Sequence, residues 1–201
     1  MGNMVYKIVW SVLRPFYNLV YPTRVTGLEK LPAEGGYILC INHLSGHDPL
    51  LIATRLPRRR VMTFMAKKEL FEVPVVGKMM YGLKGIPVDR GNADIAAVRA
   101  CMAALKEGYV LGIFPQGTRS KDNTPTPMLN GASMIALRGG VPVHPAYIDG
   151  PYKPFRRMNV RFGDAIDLSA FGRRCDSETL SAATALIAGS IWGLQEGKKQ
   201  D

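Results

Sequence analysis

The sequence predicts a single α/β domain preceded by an amphipathic helix. From Thr23 onward, short apolar runs bounded by turn residues alternate with helical patterns, and no internal repeat or long linker divides the chain. Size and composition agree, because 201 residues with 47% apolar and 21% charged content bury one substantial core and exclude disordered and collagenous chains.

The elements follow in order. Residues 1–22 carry a narrow polar stripe, Lys7, Ser11, Arg14 and Asn18, on an otherwise apolar helix with Trp10, Tyr6, Tyr17 and Tyr21 suited to a water–lipid boundary. Pro15 is expected to kink or divide this helix. A helix simply packed on the domain reads the same pattern equally well. Strands are expected at Tyr37–Ile41, Val61–Met65, Gly85–Val88, Val110–Phe114, Val141–Ile148 and Asn159–Phe162. Between them, a helix begins at Asp48 with Pro49 in its first turn, and another is capped by Asn92 and stopped by Gly108. Residues 120–127 form a polar, proline-containing loop, 176–194 a terminal helix, and Lys198 to Asp201 a frayed end.

Cys40, Cys101 and Cys175 are too few and scattered for a disulfide framework, which points to a reducing compartment. The longest charge-free stretch, Thr179 to Gln195, is shorter and more polar than a spanning helix requires. Neither a signal-peptide cleavage site nor a complete myristoylation motif follows the start, since the sixth residue is Tyr. A formal charge of +10 calls for an anionic partner: nucleic acid, a membrane surface or a phosphorylated substrate.

Two of the three histidines, His43 and His47, lie in Asn42-His-Leu-Ser-Gly-His-Asp-Pro-Leu50, between a strand and a helix. The spacing lets the Asp48 carboxylate fold back onto His43, fixing its tautomer and freeing the other ring nitrogen as a general base. Asp48 is also a good N-cap on its own account. The His43/His47 pair lacks the Glu of a zinc H-E-x-x-H motif, and Ser45 lacks a nucleophile elbow. The segment Phe114-Pro-Gln-Gly-Thr-Arg-Ser120 ends another strand and offers an anion site, with Gly117 for close backbone approach, hydroxyls at Thr118 and Ser120, and the donor fork of Arg119. Arg90, in Lys84-Gly-Ile-Pro-Val-Asp-Arg-Gly91, ends a third strand and could converge on the same anion. No Walker or dinucleotide glycine spacing is present.

In this order the blocks resemble the 1-acyl-sn-glycerol-3-phosphate acyltransferase family. Asn42, His43 and Asp48 match its N-H-x-x-x-x-D motif, and Ala66–Phe71 through Val73–Gly77 to Gly85–Arg90 its second block. Phe114–Ser120 match the third and Val141-Pro-Val-His-Pro145 the fourth. The resemblance implies a central mixed sheet flanked by helices, as in glycerol-3-phosphate acyltransferases, with an enzyme domain over 23–201. It implies transfer of a fatty acyl group from an acyl carrier protein or coenzyme A thioester to the sn-2 hydroxyl of lysophosphatidic acid, giving phosphatidic acid. His43 would be the general base and Asp48 its orienting partner; Arg90 and Arg119 would bind the phosphate, and Gln116, Gly117 and Thr118 would position the glycerol. The thioester is a co-substrate, and no metal or other cofactor is expected.

Two positions depart from the family pattern. Gln116 stands where the family has Glu, deleting a negative charge while keeping a hydrogen-bonding carbonyl. Met128-Leu-Asn-Gly131 stands where relatives often have Phe-Lys-x-Gly, removing a cation from the phosphate site. Such a substrate resides in a bilayer, so residues 1–22 are expected to lie in the membrane interface. The basic window Arg55, Arg58, Arg59, Arg60, Lys67 and Lys68 would face anionic lipid, placing a peripheral enzyme on the cytoplasmic face of the cell membrane. Competing readings are an acyltransferase for another lysophospholipid and a noncatalytic membrane-lipid-binding protein on the same fold. A nucleic-acid-binding module has only the charge in its favour.

Overall fold

The computed structural model describes residues 2–89, 94–120 and 122–196. Its strands are β1 (Thr23–Thr26), β2 (Tyr37–Ile41), β3 (Met62–Lys67), β4 (Ile86–Val88), β5 (Val110–Ile113), β6 (Val143–Asp149) and β7 (Met158–Phe162). They form one sheet in the order β1-β7-β6-β2-β5-β3-β4. β6, β2, β5, β3 and β4 run parallel, whereas β7 is antiparallel to β6 and β1 parallel to β7, so the sheet is mixed.

The helices are α1 (Gly2–Val20), α2 (Asp48–Arg55), α3 (Glu69–Glu72), α4 (Pro74–Gly82), α5 (Ile95–Lys106), α6 (Gly131–Gly139) and α7 (Ser177–Glu196). β2 shows why the centre of the sheet reads as an unbroken apolar run: both of its faces are covered. Tyr37, Leu39 and Ile41 pack with Tyr17, Leu51 and Ile52 of α1 and α2. Ile38 and Cys40 pack on the other face with Cys101, Ile135 and Ile187 of α5, α6 and α7.

Several elements differ from the sequence expectation. Of the two expectations at Pro15, division is not met, because α1 runs through it as one helix. Pro15 removes an N–H only on the exposed side, while Tyr6 and Tyr17, both fully buried, pin the helix before and after it. The wide apolar arc of α1 serves two surfaces. Tyr6, Val9, Trp10, Leu13 and Tyr17 face the domain, and the Trp10 indole N–H donates to the Ala53 carbonyl of α2 at 3.1 Å. Val5, Ile8, Val12, Phe16 and Leu19 point outward, with Val12 66% and Leu19 69% exposed. Among the described residues, no helix is long and apolar enough to cross a membrane.

The cap of α5 is Asp94, whose carboxylate accepts the Ala97 N–H at 2.8 Å. Asn92, the expected cap, lies outside the described residues, as does the Lys198–Asp201 end. The basic window is also divided. Arg60 is buried over the Tyr37 ring and donates to the Gly35 carbonyl. Arg55 donates to Asn18 of α1, and burial, with Arg14 nearby, pulls its guanidinium down to about 10. Arg58, Arg59 and Lys68 remain exposed, and Lys67 is exposed but pairs with Glu69 at 2.9 Å.

Candidate active site

Three neighbouring parallel strands, β6, β2 and β5, end at one edge of the sheet. The segments that follow them, 150–152, 42–48 and 114–120, therefore meet beyond the carboxyl ends of the strands, where open α/β sheets bind their ligands. A cleft of about 910 Å³ opens there, lined by Ser45, Arg119, Asp122, Asn123, Asp149 and Tyr152 among others.

Asn42 anchors the first of these segments. Its side-chain amide accepts the Ile148 N–H at 2.7 Å and donates to the Ile148 carbonyl at 2.9 Å, replacing the ladder bonds that end as β2 turns away from β6. It also donates to Asn123 at 2.9 Å, tying down the polar loop after β5. Asn123 has a left-handed φ of 51° and donates onward to the Tyr147 hydroxyl at 2.7 Å.

His43 and Asp48 are brought together. The Nδ1 of His43 lies 2.7 Å from Oδ2 of Asp48, and its ring stacks on Phe114 with centroids 4.4 Å apart. With Nδ1–H donated to the carboxylate, Nε2 carries the free lone pair. Asp48 does not cap its own helix; Oδ2 instead accepts the N–H groups of Leu44 and Ser45 at 2.6 and 2.8 Å. The five-residue turn thus closes on the carboxylate. Asp48 is 0% exposed, so its charge is held by these donors and not by water.

The segment after β5 meets this turn from the other side. Ser120 N–H donates to the His43 carbonyl at 2.8 Å, and the His43 N–H donates to Oε1 of Gln116 at 2.7 Å. Gln116 also donates through Nε2 to the Thr126 hydroxyl at 2.7 Å and is buried. Its side chain is thus engaged within the protein, where it holds the backbone of His43. Gly117 has a φ of 69°, and a Cβ there would meet Leu129 Cδ1 at 2.8 Å, so the turn needs glycine. Thr118 and Arg119 are exposed on that turn, and Arg119 lines the cleft and extends over Gly46. Arg90 lies outside the described residues.

The other histidines have structural partners. His47 Nδ1 lies 3.0 Å from the Tyr17 hydroxyl of α1. His144 is buried, contacts the Tyr37 ring and donates to the Gly163 carbonyl at 3.2 Å; burial lowers its pKa.

The sequence reading did not single out Tyr152, whose hydroxyl donates to Oδ1 of Asp48. It lies 104 residues beyond its partner, and only the adjacency of β6 and β2 brings the two together. A tyrosine just after the last strand of a parallel run, next to a Gly-Pro turn, was the available signal.

The Acyltransferase family model matches residues 22–149. The chain is 30% identical over 188 residues to a 1-acyl-sn-glycerol-3-phosphate acyltransferase of Bacillus subtilis, covering 91% of this chain and 93% of that protein. It is 35% identical over 142 residues to the chloroplastic 1-acyl-sn-glycerol-3-phosphate acyltransferase BAT2 of Brassica napus, covering 69% of this chain and 39% of that longer protein. Among solved structures, the 1-acyl-sn-glycerophosphate (LPA) acyltransferase PlsC from Thermotoga maritima superposes with a TM-score of 0.72. That match has 25% identity and covers 97% of this chain and 82% of that one.

Proposed function

The chain belongs to the Acyltransferase family, and from that premise we propose that it transfers a fatty acyl group from an acyl carrier protein or coenzyme A thioester to the sn-2 hydroxyl of lysophosphatidic acid. The observation that carries this reading is the buried Asp48 carboxylate held against His43 beside a cleft bearing Arg119. The likeness of the chain to lysophosphatidic acid acyltransferases along nearly its whole length supports the acceptor.

In this mechanism Nε2 of His43 takes the proton of the acceptor hydroxyl as its oxygen attacks the thioester carbonyl carbon. The C–O ester bond forms and the C–S bond breaks. The imidazolium, stabilised by Asp48, then returns the proton to the departing thiolate. Transfer is direct, so no protein nucleophile is needed. Arg119, with Arg90, holds the acceptor phosphate through its planar donor fork. Gly117 and Thr118 border the glycerol, and Gln116 contributes by fixing His43.

The acceptor is a membrane amphiphile. The outward stripe Val5, Ile8, Val12, Phe16 and Leu19 supports an interfacial seat for α1 on the cytoplasmic face, with Lys7 and Arg14 on its polar edge and Arg58, Arg59 and Lys68 as further cations. The test is product formation. Purified protein with lysophosphatidic acid and either thioester is expected to yield phosphatidic acid. Acylation of a different lysophospholipid alone would move the acceptor, and vesicle binding without any turnover would favour a noncatalytic lipid-binding role.

A further inference from the structure

The Asp48 carboxylate is fully committed on one oxygen. Oδ2 accepts from His43 Nδ1 and from the Leu44 and Ser45 N–H groups. Among the described residues Oδ1 has one hydrogen-bond donor, the hydroxyl of Tyr152. Tyr152 stands in the segment after β6, outside the region matched by the family model and outside all four sequence blocks.

We infer that Tyr152 is a positioning residue for the acyl-transfer reaction, its hydroxyl holding Asp48 in the orientation that presents Oδ2 to His43. The inference rests on the reading of His43 as the base. Its physical basis is the cost of an unsatisfied buried carboxylate oxygen. With the donor gone from a carboxylate that is itself 0% exposed, Asp48 would tilt to recover a partner or pull harder on the proton it shares with His43. The first response spoils the alignment of Nε2, and the second makes the imidazole a stronger base that releases its proton less readily.

The surroundings fix the tyrosine as a donor. Its ring stacks on His47, with centroids 5.9 Å apart and planes 28° apart, and meets the edge of Tyr21 at 5.4 Å. Burial and the neighbouring Asp48 charge push its hydroxyl well above the ordinary tyrosine value of 10.0, so it keeps its proton throughout the working range. The other groups facing this corner are Arg55 and His47 from α2 and its cap, Tyr17 and Tyr21 from α1 and its end, and Arg119 from the loop after β5. Tyr17 binds His47 and Tyr152 stacks on it, so the face of α1 that seats on the domain touches the same cluster that supports Asp48.

Tyr152→Phe retains the ring and removes only the donor, while Tyr152→Ala also removes the packing. In lysophosphatidic acid turnover, Tyr152→Phe is expected to lower kcat roughly tenfold with KM changed less than about twofold, while the protein stays cooperatively folded with a melting temperature lowered by only a few degrees. The NMR signal of the proton between His43 Nδ1 and Asp48 Oδ2 is expected to move from its wild-type position. Wild-type kcat together with an unmoved signal in Tyr152→Phe would overturn the assignment. So would activity lost only in Tyr152→Ala and in proportion to unfolding, which would make the residue a packing element. His43→Ala is measured alongside. If it keeps wild-type turnover, the base reading fails separately, and the position of the His43–Asp48 proton signal in Tyr152→Phe still decides whether the hydroxyl controls the pair.

Discussion

The backbone N–H of His43 donates to the side-chain oxygen of Gln116 at 2.7 Å. The position that departs from the family's glutamate is therefore a strut beneath the proposed base. Glutamate would do the same work: either side chain offers Oε1 to His43, and the Thr126 hydroxyl can turn to donate to a carboxylate as readily as it accepts from the amide. Gln116→Glu is expected to change turnover by less than about threefold, whereas Gln116→Ala strands a buried N–H at a cost of about 1–3 kcal/mol and lowers kcat. Kinetics of the two variants against one acceptor check this.

Asp48→Asn separates charge from shape. An amide oxygen still accepts the Leu44 and Ser45 N–H groups, so the turn is retained, but the imidazolium loses its carboxylate. Turnover is expected to fall on the order of 10³- to 10⁴-fold with little change in thermal unfolding. Steady-state rates paired with melting curves distinguish this from misfolding.

Two faces of α1 give opposite outcomes. Tyr17 is 1% exposed, and Tyr17→Ala is expected to cost about 3 kcal/mol, or roughly 6–12 °C in melting temperature. On the outward stripe, Ile8→Gln with Val12→Gln is expected to leave the melting temperature unchanged and to reduce sedimentation with anionic vesicles by about tenfold or more. Because Tyr6 and Tyr17 enter the core, removing residues 1–21 is expected to destabilise the remainder, so point variants are the proper probe of membrane contact.

His144 supplies a pH test of stability. Burial lowers its pKa below the ordinary 6.5, so the unfolded chain binds the proton more tightly than the folded one. Its contribution is present above about pH 6.5 and is lost as pH falls towards the lowered folded value. Denaturant unfolding at pH 7.5 and 5.0 is expected to show the stability gap between wild type and His144→Asn shrinking at the lower pH.

What could be read from the sequence depended on how locally each feature was determined. β2 was legible because Tyr37–Ile41 is apolar on both faces and flanked by turn residues. β1 was not, since Thr23–Thr26 alternates half-buried and exposed positions on an edge strand and gains its order from pairing with distant β7. Pro74 and Gly77 look like breakers, yet Pro74 opens α4, and Gly77 sits where a Cβ would meet the Phe71 carbonyl oxygen at 2.1 Å. His43 and Asp48 were legible because a single turn holds both. The inward aim of Gln116, the burial of Arg60 and the contact of Tyr152 with Asp48 all depend on segments joined only by the sheet order, which local patterns do not encode.

The most direct measurement is thiol release from an acyl thioester in the presence of lysophosphatidic acid, by wild type and by His43→Ala of matched thermal stability. A general base at Nε2 predicts a loss of about 10²- to 10⁴-fold in the variant. Equal rates in the two proteins would contradict the account.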